Sequence, residues 1–134
     1  MEIHKIENKL IVTWRDDIKA IVDKWEDYSV SIDVFRNAVL EIGLTHAKAN
    51  GGVAWIVDSS DASGVFKKEI QDFIGSDVFP AFANNGIKYF ITILPKNAIT
   101  KLNVRNYSRK AGPNGLELIE AASFDAAVDF LKKQ

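Results

Sequence analysis

The chain has 134 residues, 47% hydrophobic and 26% charged, which suits a single domain with one hydrophobic core. A net charge of −1 gives no global field for nucleic acid or anionic lipid. The absence of cysteine excludes disulfides, thiol catalysis and thiolate metal sites.

The first 25 residues read as strands. Ile3 and Ile6 sit in a short segment ending at Asn8, and Leu10 to Trp14 is rich in β-favouring residues. After the polar turn Arg15-Asp16-Asp17, Ile18, Ala20 and Val22 alternate with Lys19, Ile21 and Asp23. Joints this short predict an antiparallel meander. Ser31 is a good N-cap for a long helix with an inward stripe of Ile32, Phe35, Val39, Ile42, His46 and Ala49, closed by Asn50-Gly51-Gly52.

Val53 to Val57 reads as a buried strand, followed by the polar loop Asp58 to Gly64. Helix is expected from Phe66 to Asn84 with a break at Gly75, then a second buried strand from Tyr89 to Leu94 ended by Pro95. A helix from Ala98 to Lys110, a strand from Leu116 to Ile119, and a last helix capped by Ser123 complete the order. The alternation predicts an α/β fold with a single mixed sheet, the antiparallel meander leading into parallel βαβ units with packed helices. The expected core is Leu10, Val12, Phe35, Val39, Ile42, Trp55, Val57, Phe90, Ile91, Ile93, Val128 and Leu131. No segment reaches the ~20 apolar residues of a membrane span. The opening MEIHKIENKL lacks the basic start and apolar core of a secretory signal, so the expected location is cytoplasmic.

From Trp55 onward the chain resembles a bacterial family, the STAS/SEC14-domain or SpoIIAA-like proteins. Trp55-Ile56-Val57-Asp58 is similar to that family's "WL-D" strand end and Val78-Phe79-Pro80 to its "WFP" helix segment. Asn85-Gly86-Ile87-Lys88 precedes a strand ending at Pro95, and Phe124-Asp125, Ala127 and Phe130-Leu131 resemble its closing helix. The resemblance implies a STAS-like fold, no known catalysis, and a role in binding a regulatory protein or a small ligand. STAS domains that carry a phosphorylatable serine hold it in an Asp-Ser-Ser-Gly motif. Asp61-Ala62-Ser63-Gly64 matches it in part, which makes Ser63 the candidate phosphorylation site, with Ala62 in place of the first serine.

The residues themselves nominate two binding features. Asp58, Ser59, Ser60, Asp61 and Ser63 occupy a loop at the carboxyl end of a central strand, where open α/β sheets bind ligands. The same loop also reads as a self-satisfied cap, its Asp and Ser side chains bonding backbone donors. Lys101 and Arg105, with Arg109, fall at i, i+4, i+8 in a stretch from Ile87 to Pro113 that holds six basic residues and no acidic one. That stripe reads either as a solvated face or as a site for an acidic partner or anionic ligand. No catalytic residue, metal site or cofactor is nominated: His4 and His46 have no metal-ligand spacing, and no nucleophile elbow is present. His46 is expected to be a hydrogen-bonded core residue. An enzyme using Asp58, Asp61 or His46 is the weakest of three readings, behind a regulatory interaction domain and a carrier of a small, lipid-like apolar ligand. A homodimer is expected, with Leu40 and Leu44 as its contact, although a meander folded over that helix face would instead bury both leucines. Nucleic acid is not an expected partner, because the domain as a whole is not basic.

Overall fold

A computed structural model describes all residues from Met1 to Gln134. Strands β1 (Glu2–Ile6), β2 (Leu10–Arg15) and β3 (Ala20–Trp25) form the antiparallel meander. β3 then pairs in parallel with β4 (Ala54–Asp58), β4 with β5 (Tyr89–Ile93), and β5 with β6 (Glu117–Ala121). The six strands lie side by side in chain order. This is the mixed α/β sheet that the alternation of elements predicts. The carboxyl ends of β4 and β5 share one edge, as parallel pairing requires.

Four helices cover the sheet. α1 spans 32–49, α2 spans 68–84, α3 is Ala98–Ser108 and α4 is Phe124–Lys132. Right-handed crossovers between strands in consecutive order put their helices on one face. Residues of α1, α2 and α3 accordingly enter one buried cluster with Leu10, Val12, Trp14, Ile21, Trp25, Trp55, Val57 and Phe90. α4 closes the other face, where Ala127, Val128 and Leu131 pack on Ala20, Val22, Ala54, Ile56, Ile91 and Ile93. No helix is long and apolar enough to cross a membrane.

Two helices depart from the α-helical period. In α1 the residues Asn37–Leu44, and in α2 the residues Ile74–Val78, form π-helical turns within otherwise continuous helices. Gly75 therefore does not break α2, as its position suggests; it lies in a wider turn. A π-helical bond spans five residues, so each wide turn shifts the side-chain stripe relative to a 3.6-residue period. This corrects the inward stripe of α1. Phe35 and Val39 are buried as expected, but Ile42 is only half-buried and Ala49 is exposed, while Ala38, Gly43, Leu44 and Ala47 turn inward. Gly43 permits this approach, because a Cβ there would lie 2.8 Å from the Trp55 ring.

The same shift corrects the proposed dimer contact. Leu44 is part of the core, and Leu40 packs half-buried against it together with Ile3 and Ile6 of β1. The meander covers this side of α1, so the two leucines offer no free apolar pair.

Candidate functional site

The loop after β4 is tied down from within. The Asp58 carboxylate accepts from the Ser60 backbone N–H at 3.1 Å and from the Ser60 hydroxyl at 2.7 Å, an Asx-type turn. Lys24, paired across the β3–β4 register with Asp58, reaches over it. Its Nζ lies 2.9 Å from Ser60 Oγ, 3.0 Å from Asp61 Oδ2 and 3.5 Å from Asp58 Oδ2. One lysine thus offsets both aspartates. Ser63 is exposed, but its backbone bridges to the segment after β3: its N–H donates to Glu26 O and its carbonyl accepts from Tyr28 N–H, each at 3.0 Å. Gly64 takes φ +77° beside the Asp27 carboxylate, which a Cβ would approach to 2.8 Å. A phosphate on Ser63 would meet the acidic neighbours Glu26, Asp27 and Asp61.

α3 starts against this loop. Its N-cap Asn97 accepts from Thr100 N–H at 3.0 Å, and the Thr100 hydroxyl donates to Gly64 O at 2.8 Å. Asn103 accepts from the Phe66 N–H at 3.0 Å. Loop and helix are therefore packed together. Lys101 and Arg105 do not join the aspartates. Arg105 forms a two-point pair with Glu120 of β6 at 3.1 and 3.3 Å, and Lys101 is half-buried without a carboxylate partner.

Beneath loop and helix lies a buried polar group that periodicity concealed. Asp23 belongs to an alternation in which its face reads as polar, yet three helices cover that face and the residue is 2% exposed. Trp55 Nε1–H donates to its Oδ2 at 2.8 Å, while Oδ1 has no partner. Burial raises the carboxyl pKa to about 7, and the Trp55 bond opposes the rise only in part. The carboxyl borders a void of about 20 Å³, lined also by Trp25, Phe66, Phe79, Tyr107 and eight further residues; that is room for about one water molecule. Val39 comes from the π turn of α1, and Ile74 and Val78 from that of α2.

Beside it the Tyr28 hydroxyl is hydrogen-bonded to both Ser59 Oγ and the Tyr107 hydroxyl. Burial pushes both phenols above their ordinary pKa, and the nearby Asp23 charge adds to it. Asp23, Tyr28, Tyr107 and Lys24 were not among the residues singled out from the sequence. The one available signal was an acidic residue inside the apolar strand Ala-Ile-Val-Asp-Lys-Trp.

His46 is half-buried, its ring edge-on to Trp14 at 5.3 Å, with Nε2 unpartnered, so the expectation of a hydrogen-bonded histidine is corrected. No three His, Asp or Glu side chains gather as a metal-binding group would. No protein-family model, curated protein or solved structure matches this chain at a level that supports a family assignment.

Proposed function

We propose that this chain is a non-enzymatic interaction domain of the STAS-like regulatory kind, and that it works by recognition at the carboxyl edge of its sheet. One observation carries the reading. Ile99 and Leu102, 72% and 62% exposed, are large apolar side chains held out at the start of α3, on that edge. Exposed apolar groups that adjoin a rigid polar surround mark contact surfaces. The polar surround is Lys96 and Asn97 at the helix start, with Asn97 capping it, and the Gly64 carbonyl bonded to Thr100.

The test compares the tagged chain with its Ile99→Ser/Leu102→Ser variant, each isolated from its native cells. A component retained by the first and lost by the second, at equal melting temperature, is the expected result. Identical companions for both would reject the reading. A homodimer belongs to the same proposal, on a surface other than Leu40 and Leu44; light scattering that returns a monomer mass at micromolar concentration would end that part.

A second reading, a small apolar ligand held inside, draws on the Asp23 void. Asp23 Oδ1 would accept the ligand's one hydrogen-bond donor among aromatic walls. The void must grow for this, by α1 and α2 parting at their π turns, a kind of turn found often at functional sites. Native mass spectrometry of the freshly purified chain should then show a bound mass. A bare chain at neutral and at acid pH would dismiss this reading.

A further inference from the structure

The recognition reading leaves the partner open, and the chemistry of the α3 face narrows it. At about 100° per residue, Ile99, Leu102, Asn106 and Arg109 fall within a sector of about 80°. Arg105 lies about 40° outside one edge of that sector, Lys101 about 40° beyond Arg105 and half-buried, and Lys96 immediately precedes the helix. Arg105 is neutralised by Glu120. Lys96, Lys101 and Arg109 take part in none of the chain's ion pairs. No acidic residue occurs between Ile87 and Pro113. Val65, 41% exposed, is held beside the helix by the Gly64–Thr100 and Phe66–Asn103 hydrogen bonds and adds a third apolar tip.

The face is therefore cationic and aliphatic on a chain whose net charge is −1. An anionic occupant complements it. The absence of aromatic side chains favours lipid over protein, whose interfaces are enriched in them, while Arg105 and Arg109 suit either occupant. Aliphatic tips ringed by lysine and arginine are what a bilayer surface accepts, the tips entering the headgroup boundary and the cations meeting lipid phosphates and carboxylates.

Resting on the recognition reading, we infer that the outer face of α3 seats the domain peripherally on an anionic membrane surface, with Ile99 and Leu102 inserted, Lys96 and Arg109 beside them and Lys101 on the flank.

The test is co-sedimentation of the full chain with phosphatidylcholine vesicles, with and without one third phosphatidylserine. Binding to the phosphatidylserine vesicles at low salt is expected, with its loss at high salt and little binding to phosphatidylcholine alone. Each cation near such a surface contributes about fivefold. Lys96→Glu/Arg109→Glu should therefore weaken binding by roughly 25-fold or more. Lys48→Glu/Lys133→Glu changes net charge equally on exposed sites elsewhere and should weaken it far less. Ile99→Ser/Leu102→Ser should cost roughly tenfold or more through lost apolar burial.

Absence of binding at low salt, or equal weakening by the two charge reversals, overturns the inference. So does saturable binding of a poly-glutamate peptide without vesicle binding, which would put an acidic protein segment on this face. If vesicles fail while a native-cell component is still lost with the Ile99/Leu102 substitutions, the recognition reading stands and the lipid assignment falls.

Discussion

The two faces of the sheet solve the same burial problem with different materials. Under α1, α2 and α3 the buried cluster is aromatic, built around Trp25, Trp55, Tyr28, Phe66, Phe79 and Phe82. Under α4 it is aliphatic apart from Tyr89. The aromatic face also holds Asp23, the Tyr28–Tyr107 pair, Thr92 with an unpartnered hydroxyl, two π turns and the void. Flat rings stack well only in a few orientations, as Trp55 does on Phe82 at 4.1 Å, and they leave gaps that branched aliphatic side chains fill. Imperfect closure and buried, unpartnered polar groups thus occur together on one face.

Truncation should expose this difference most strongly. Phe79 is fully buried beside the void, so Phe79→Ala joins a new cavity to an existing one and should cost roughly 3–5 kcal/mol. Val128→Ala, on the aliphatic face, should cost about 1–2 kcal/mol for two methyl groups and their gap. Chemical denaturation of both variants measures the contrast. A Phe79→Ala loss at or below the low end of its range would mean that the void adds nothing to the new cavity.

The contrast was legible in the sequence only on one side. Element order, the β4–β5 pairing and the inward residues of α4 follow from alternation and helical spacing, because those elements keep regular periods. α1 does not, and its π turn moved Leu44 inward and left Ile42 at the margin, where a constant 100° per residue predicts the reverse. Asp23 was hidden for a related reason: a polar residue in an alternating strand reads as outward, and only the consecutive strand order, which stacks three helices on that face, buries it. The Asp58–Gly64 loop was legible as a cap, but its counter-charge was not, since Lys24 is brought there by the register of β3 on β4.

Asp23 also sets a pH dependence that the aliphatic face lacks. Its pKa is raised by burial to about 7 in the folded chain, against an ordinary value of 3.8 when unfolded. Between those values the folded state holds a proton that the unfolded state has released. Stability therefore falls as pH rises from about 4 to about 7, by as much as about 4 kcal/mol, and levels off above. Asp16, Asp17, Asp27 and Asp72 act in the opposite sense at lower pH, because their partners lower their pKa values. The wild type minus Asp23→Asn difference cancels them. That difference should run downhill across the window, with Asn favoured at the upper end. A flat difference would show that the carboxyl is solvated in solution.

Within the aromatic face the hydroxyl chain should show a hub and a tip. The Tyr28 hydroxyl is hydrogen-bonded to both Ser59 and Tyr107, whereas the Tyr107 hydroxyl is hydrogen-bonded only to that of Tyr28. Tyr28→Phe leaves the fully buried Ser59 hydroxyl without its partner and should cost about 1–3 kcal/mol. Tyr107→Phe should cost about 1 kcal/mol, and the double variant little more than Tyr28→Phe alone. Full additivity would show that the two hydroxyls do not act as one group.

The smallest effect separates the faces at their helix ends. Ser31 caps α1 by accepting from Val34 N–H at 3.2 Å, and Ser123 caps α4 by accepting from Ala126 N–H at 3.1 Å. Each helix also carries an aspartate in its first turn, Asp33 or Asp125, so local chemistry predicts the same loss of about 1 kcal/mol on substitution by alanine. Their surroundings differ. α1 is anchored by Phe35, whose ring stacks near Trp25 and meets Phe66 edge-on, and neighbouring helices share its face. α4 has nine residues and stands alone on its side of the sheet. A short helix depends on its cap and its one packed face, because nucleation is costly. Ser123→Ala should therefore speed amide exchange throughout the first two turns of α4, whereas Ser31→Ala should affect only the first turn of α1. Hydrogen exchange followed residue by residue decides this, and equal fraying of the two helices would remove the last distinction drawn between the faces.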